Sequence, residues 1–181
     1  MMPPTDPAGV DAPAAAAVAG DADRPEGFRR VARLLAERGH GRAPRWLDSA
    51  ARTSAEAASA LQVQVGQIAK SVVFRRRSDD CAVLVIASGD RRVDTAKVEL
   101  LVGAVGRADA DFVKSRTGFS IGGVAPVAHA QPPVVLVDRE LFRFDEVWAA
   151  AGHPNGVFCA APDELLRLTG APAADVVEAA A

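Results

Sequence analysis

Between Pro25 and Arg38 the apolar side chains fall at Phe28, Val31, Leu34 and Leu35, the spacing of one helix face, with a proline at the entry and Gly39 beyond the exit. The pattern predicts a helix. Thr53-Ser54-Ala55-Glu56 is a capping-box sequence and opens a second, alanine-rich helix that runs to about Leu61. The stretch between them, His40 to Arg52, holds Pro44 and Trp46 and reads as loop with a short edge strand. Two β-rich runs follow, Ile68 to Arg75 and Cys81 to Ser88, whose polar Arg-Arg-Ser-Asp-Asp connection predicts a hairpin.

Further along, Asp94 to Val102 reads as a helix ending at Gly103, and Asp109 to Arg116 as one capped by Asp109 and stopped at Gly118. Pro133 to Val137 reads as a strand, Leu141 to Ala151 as a short helical passage, Val157 to Ala160 as a final strand, and Pro162 to Thr169 as a helix closed by Gly170. Hairpins mixed with helices, without a regular βαβ alternation, predict an α+β fold with a mixed, mainly antiparallel sheet flanked by helices.

Composition narrows the class. With 181 residues, 49% of them hydrophobic, the chain is long enough for one domain with a core, and no apolar run approaches the eighteen or more residues of a membrane span. Residues 1–24 are Ala- and Pro-rich and lack the basic start and leucine-like centre of a secretory signal. They are expected to form a disordered tail ahead of a domain at 25–181. Cys81 and Cys159 lie in apolar runs without metal-binding spacing, as buried, reduced thiols of a cytoplasmic protein would. The net charge of −2 comes from the tail: setting aside residues 1–24, which hold four aspartates and Arg24, leaves 20 basic against 19 acidic side chains. Such a near-neutral body argues against a strongly basic nucleic-acid binder, and its basic clusters at Arg29, Arg30 and Arg33, at Arg75, Arg76 and Arg77, and at Arg91 and Arg92 permit RNA contact without showing it.

Familiar catalytic templates are missing. The chain has no G-x-S-x-G elbow, P-loop or H-E-x-x-H, and its three histidines, His40, His129 and His153, form no metal set. No metal or cofactor is expected. Attention falls instead on Gly118-Phe119-Ser120-Ile121-Gly122-Gly123-Val124-Ala125-Pro126, apolar and glycine-rich at once, a segment suited to exposing main-chain N–H groups to a carbonyl or phosphate oxygen. Taken alone, such a segment is more often an ordinary turn. Lys70 interrupts an apolar strand and is either the outer face of an edge strand or a point charge in a cleft. His153, in Gly152-His153-Pro154-Asn155-Gly156, and His129 are loop histidines placed to be solvated or to sit beside a pocket. Asp138 is read as a structural turn or cap.

Taken in order, these pieces resemble the YbaK/ProX family of free-standing aminoacyl-tRNA deacylases, similar to the editing insertion domain of bacterial prolyl-tRNA synthetase. The likeness runs from about residue 26 to about residue 178. It rests on Glu56-Ala57-Ala58, on Gly66-Gln67-Ile68-Ala69-Lys70-Ser71-Val72-Val73-Phe74, on Val93-Asp94 with Lys97, and on Thr117-Gly118-Phe119 leading to Gly122-Gly123-Val124-Ala125-Pro126. It continues through Val135-Leu136-Val137-Asp138, Pro162-Asp163-Glu164-Leu165 and Leu168-Thr169-Gly170-Ala171.

The resemblance implies hydrolysis, in trans, of the ester joining a wrong amino acid to the 3′ adenosine of a tRNA, a proline tRNA by analogy. It makes the tRNA acceptor end one partner and an aminoacyl-tRNA synthetase a second. It casts Lys70, Gly122, Gly123 and Pro126 as catalytic, with Ser71, Gly118, Phe119, Val124, Ala125, His129, Gly152 and His153 binding substrate. Ala151 and Phe158 stand where cysteine-removing members carry serine and aspartate, while His153-Pro154 looks like the alanine-removing branch, which has asparagine where Ser71 stands. Alanine, serine and threonine are the expected amino acids. Two rivals predict other behaviour: a non-catalytic tRNA- or synthetase-binding module of the same fold, and a nucleotide binder using the glycine loop for a phosphate.

Overall fold

The computed structural model describes residues 22–180; residues 1–21 of the expected tail lie outside it. The first helix, α1, spans Glu26–Glu37 and buries Phe28, Val31 and Leu35. A two-residue strand β1, Arg45–Trp46, precedes α2, Ser54–Leu61, whose capping box is complete: Thr53 accepts the Glu56 N–H and Glu56 accepts the Thr53 N–H. Strands β2, Ile68–Arg76, and β3, Ala82–Ser88, form the expected antiparallel hairpin. Then come α3, Thr95–Val102, β4, Val105–Arg107, α4, Ala110–Thr117, β5, Val134–Asp138, β6, Val147–Ala150, β7, Gly156–Ala160, α5, Pro162–Thr169, and β8, Ala173–Ala174.

One sheet takes all eight strands in the order β1-β7-β6-β2-β3-β5-β8, with β4 beside β2. The pairs β1–β7, β6–β7, β2–β3 and β2–β4 are antiparallel, and β2–β6, β3–β5 and β5–β8 parallel. The fold is α+β with a mixed sheet. Strand β3 is central and buried on both faces, as its unbroken apolar run requires. Its Leu84 and Ile86 join Phe28, Phe119, Phe158, Leu165 and Leu168 in one core, while Val83, Val85 and Ala87 join Val98, Leu136 and Val176 in another. Among the described residues no helix is long and apolar enough to cross a membrane.

One element departs from expectation. Leu141–Ala151 is helical only at its start: a 3-10 helix at Arg139–Arg143 continues from β5, and Val147–Ala150 is strand β6. Apolar residues at Leu141, Phe144, Val147 and Trp148 fit a helix period, but Val147 and Ala149 alternate inward and the stretch is claimed by pairing with β2 and β7. Strand β8 follows Val157–Ala160, so that strand is not the last, and the short β4 and β8 carry no sequence signal of their own. Cys159 is buried as expected, whereas Cys81 sits half-exposed in the hairpin turn; both thiols are free.

Candidate active site

Strand β3 runs along one edge of β2 from Ala69 to Arg75, so β6 and β4 must share the other edge. β6 pairs there only at Ile68 and Ala69, and β4 only from Phe74 to Arg76. The edge from Lys70 to Val73 is therefore left without a strand partner. A cavity of about 360 Å³ opens at this fork. Its walls are Ile68 to Ser71 of β2, Trp148 to Ala150 of β6, the start of α2 with Arg52 and Thr53 before it, Ile121, Gly122 and Val124 of the glycine loop, and His153 and Pro154 from the β6–β7 turn.

The hairpin register tells which way the main chain points at the fork. Arg76 N–H donates to Cys81 across the hairpin, and Arg77 N–H donates to Ala104 on the opposite side. Stepping back by twos along β2 turns the N–H and C=O of Ser71 away from β3, into the unpaired gap. The Ser71 hydroxyl is also buried and has no hydrogen-bond partner. A buried polar group left unpaired is costly, and such atoms mark places where a ligand or water completes the structure.

Lys70 stands beside it, half-buried. Its ammonium donates to the Arg91 carbonyl at 2.5 Å. Burial lowers its pKa, and the charges of Asp90 and Asp138 pull it part of the way back. Asp90 is itself held by Arg143 at 2.8 Å and by the Ser88 hydroxyl at 2.9 Å. Asp138, fully buried, accepts the N–H groups of Ser88 and Glu140, and burial raises its pKa despite them.

The glycine loop reaches the cavity through Gly122, whose φ of +91° is left-handed backbone that favours glycine. Gly123 lies just behind, packed on the main chain of His153; a Cβ there would sit 2.8 Å from His153 Cα. Its N–H is spent on the Ser120 carbonyl at 3.0 Å. Among the described residues the N–H groups of Gly122 and Val124 donate to no main-chain carbonyl outside helices and strands. His153 stacks on Trp46, with ring centroids 4.8 Å apart, and its Nδ1 accepts the Asn155 N–H at 3.1 Å. That bond places the proton of the neutral ring on Nε2, and burial lowers the ring's pKa. Leu47 and Ala51 staple the turn in place, donating to Asn155 at 2.7 Å and Pro154 at 2.9 Å.

Of the residues singled out from sequence, the fold brings Lys70, Ser71, Gly122, Val124 and His153 onto one cavity. The others stand behind it or elsewhere. Gly118 ends α4 in a left-handed cap and Phe119 is buried in the core. Pro126 and His129 line a different hollow, against Leu34, Arg38 and Leu168. Burial lowers the His129 pKa, and its ring is bonded to the Ala125 carbonyl at 2.7 Å, which ties the end of the loop to its middle. Gly152, φ +83°, packs back to back with Gly27. Ala151 and Phe158 are buried and do not line the cavity. Sequence reasoning missed Arg52, Ile121 and Trp148; the capping box marked where α2 begins, but nothing local says that this end faces a pocket.

Residues 48–168, which contain every residue named in the cavity wall, match the aminoacyl-tRNA editing domain family. The chain belongs to this family. This editing domain is 34% identical over 119 residues to the uncharacterized protein YwhH of Bacillus subtilis (strain 168), covering 65% of the present chain and 75% of that one. Among solved structures it resembles a candidate trans-editing enzyme for prolyl tRNA synthetase, at 43% identity and a TM-score of 0.80 over 86% of the present chain and 99% of the other. It also resembles the hypothetical protein APE2540, at 33% identity and a TM-score of 0.77 over 82% and 99% of the two chains.

Proposed function

We propose that the protein is a trans-editing deacylase that hydrolyses the ester of a mischarged aminoacyl-tRNA. The observation that carries this reading is the meeting of Lys70, the unpaired edge at Ser71 and the glycine loop in one cavity of a size for an aminoacyl group. An aminoacyl ester is already activated, so the protein need only orient water and stabilise the oxyanion with fixed donors.

In this scheme water attacks the ester carbonyl, the new C–O bond forms, and the bond to the ribose oxygen breaks as that oxygen takes up a proton. The N–H groups of Ser71 and Gly122 face the developing oxyanion, and Lys70 anchors the terminal ribose or phosphate. The substrate's own 2′-hydroxyl positions the attacking water. Gly123 shapes the loop, since its N–H is already engaged. Trp148, Val157 and the His153 turn bound the space for the amino-acid side chain, which favours small groups such as those of alanine, serine or threonine. The tRNA is proline tRNA by the likeness to the candidate trans-editing enzyme.

A deacylation panel tests the proposal. Alanine, serine, threonine and cysteine are each attached to proline tRNA and to their own tRNAs, and hydrolysis above background is followed. Turnover of a small non-cognate residue on proline tRNA is expected. Binding of tRNA with no hydrolysis of any member would make the protein a binding module instead.

A further inference from the structure

Lys70, Val72 and Phe74 alternate along β2 and so share one face of the strand. That face floors a second, more open cleft of about 550 Å³, closed opposite by Gly89 to Val93 and by Thr95. Lys70 stands in the wall of both hollows, and its bond to the Arg91 carbonyl fixes the ammonium at the divide between them.

The chemistry of this cleft differs from that of the cavity. Its floor is apolar and carries an aromatic ring, half-buried Phe74, beside Val72 and Val93. Its rim is cationic. Arg92 is 84% exposed in its side chain, and its ion pair with the less exposed Glu178 is a loose 3.6 Å. Arg91 is drawn toward Glu140 at 3.3 Å, and the acidic wall residue, Asp90, is already engaged by Arg143 at 2.8 Å. An aromatic floor under a basic rim is the arrangement that holds single-stranded nucleic acid, bases against the ring and phosphates against the cations.

We propose that this cleft binds the unpaired ribonucleotides that precede the terminal adenosine of tRNA, with Arg92 on a phosphate and Phe74 against a base. This inference rests on the reading that the cavity takes the aminoacyl ester. A substrate whose terminal ribose sits at Lys70 leads its preceding nucleotides away from the cavity, and the surface that opens past Lys70 is this cleft.

The test is a binding measurement on uncharged RNA, independent of hydrolysis. An acceptor-stem hairpin with its unpaired 3′ overhang, and the same hairpin cut blunt, are titrated against the full chain across a range of salt. Arg92→Gln is expected to weaken binding of the overhang hairpin several-fold and to flatten its salt dependence by about 0.7 in log–log slope, the share of one single-strand phosphate. Neither change is expected with the blunt hairpin. Arg33→Gln, an exposed charge on α1 away from both hollows, separates local from general charge loss. Equal binding by wild type and Arg92→Gln, or an equal loss in Arg33→Gln, overturns the inference. If wild type binds the overhang as described but hydrolyses no mischarged tRNA, the deacylase reading falls and the nucleotide cleft stands.

Discussion

Gly123 lies flat against the main chain of His153, with no room for a side chain between them: an added Cβ would come within 2.8 Å of both Cα and the carbonyl carbon of His153. Two loops that line the cavity, one before β5 and one between β6 and β7, are thereby held at a fixed separation. Main chain cannot give way as a flexible side-chain tip can.

Gly123→Ala is therefore expected to push the loops apart, although its backbone is not left-handed and alanine would otherwise be tolerated. Hydrolysis of the substrate found by the deacylation panel should fall about a hundredfold, the scale of a 1 Å misplacement of a catalytic group. Stability should fall by about 1–3 kcal/mol, as for other overpacked sites, measured by denaturant unfolding. Unchanged turnover would show that the contact does not shape the site.

Ser71→Ala separates function from stability. The hydroxyl is buried without a partner, so its removal is expected to stabilise the fold by about 1 kcal/mol, while turnover, which uses the Ser71 N–H that alanine keeps, falls only by what the hydroxyl itself adds to holding the substrate. A serine that served only the fold would lose stability on the same change.

Lys70→Met is expected to abolish hydrolysis without lowering the melting temperature. Burial disfavours the lysine's charge, so the folded-state pKa lies below the ordinary value of about 10.4. The unfolded chain then binds the proton more tightly, and stability from this group is present above the unfolded pKa and lost as pH falls through the folded one. Lys70→Arg should not restore activity, because a planar fork does not replace a compact ammonium bonded to the Arg91 carbonyl.

His153 gives a pH signature on the acid side. Its pKa is lowered by burial from about 6.5, and protonation would destroy the Nδ1 acceptor that holds the Asn155 N–H. Stability from this ring is therefore present above about pH 6.5 and lost as pH falls through the lower folded value. A profile of kcat/KM should show an acid limb below pH 6.5 that His153→Ala removes. A limb that survives the substitution belongs to another group.

The hairpin, the capped helices and the glycine stops were legible because each is written locally. Thr53 and Glu56 cap each other three residues apart, and two β-rich runs joined by a short polar connection mark the β2–β3 hairpin. The passage at Leu141–Ala151 was not, because its apolar spacing fits two periods and only pairing with β2 and β7 decides between them. The same limit divides the site. Lys70 and the glycine loop stand out as residue types, whereas Pro126 and His129 looked equally eligible and turn out to face another hollow.

What the sequence alone determined is the set of parts: an α+β chain, an interrupted apolar strand carrying Lys70, and a glycine-rich loop able to bare its main chain. These follow from side-chain period, φ preference and capping, which act over a few residues. Tertiary structure decided where the parts meet. β6 leaves β2 after Ala69 and β4 joins it at Phe74, and the gap between them exists only once four distant segments have paired. An unpaired strand edge is a property of the sheet rather than of any residue in it, and that edge, with Lys70 and Gly122 beside it, is what makes the cavity a candidate active site.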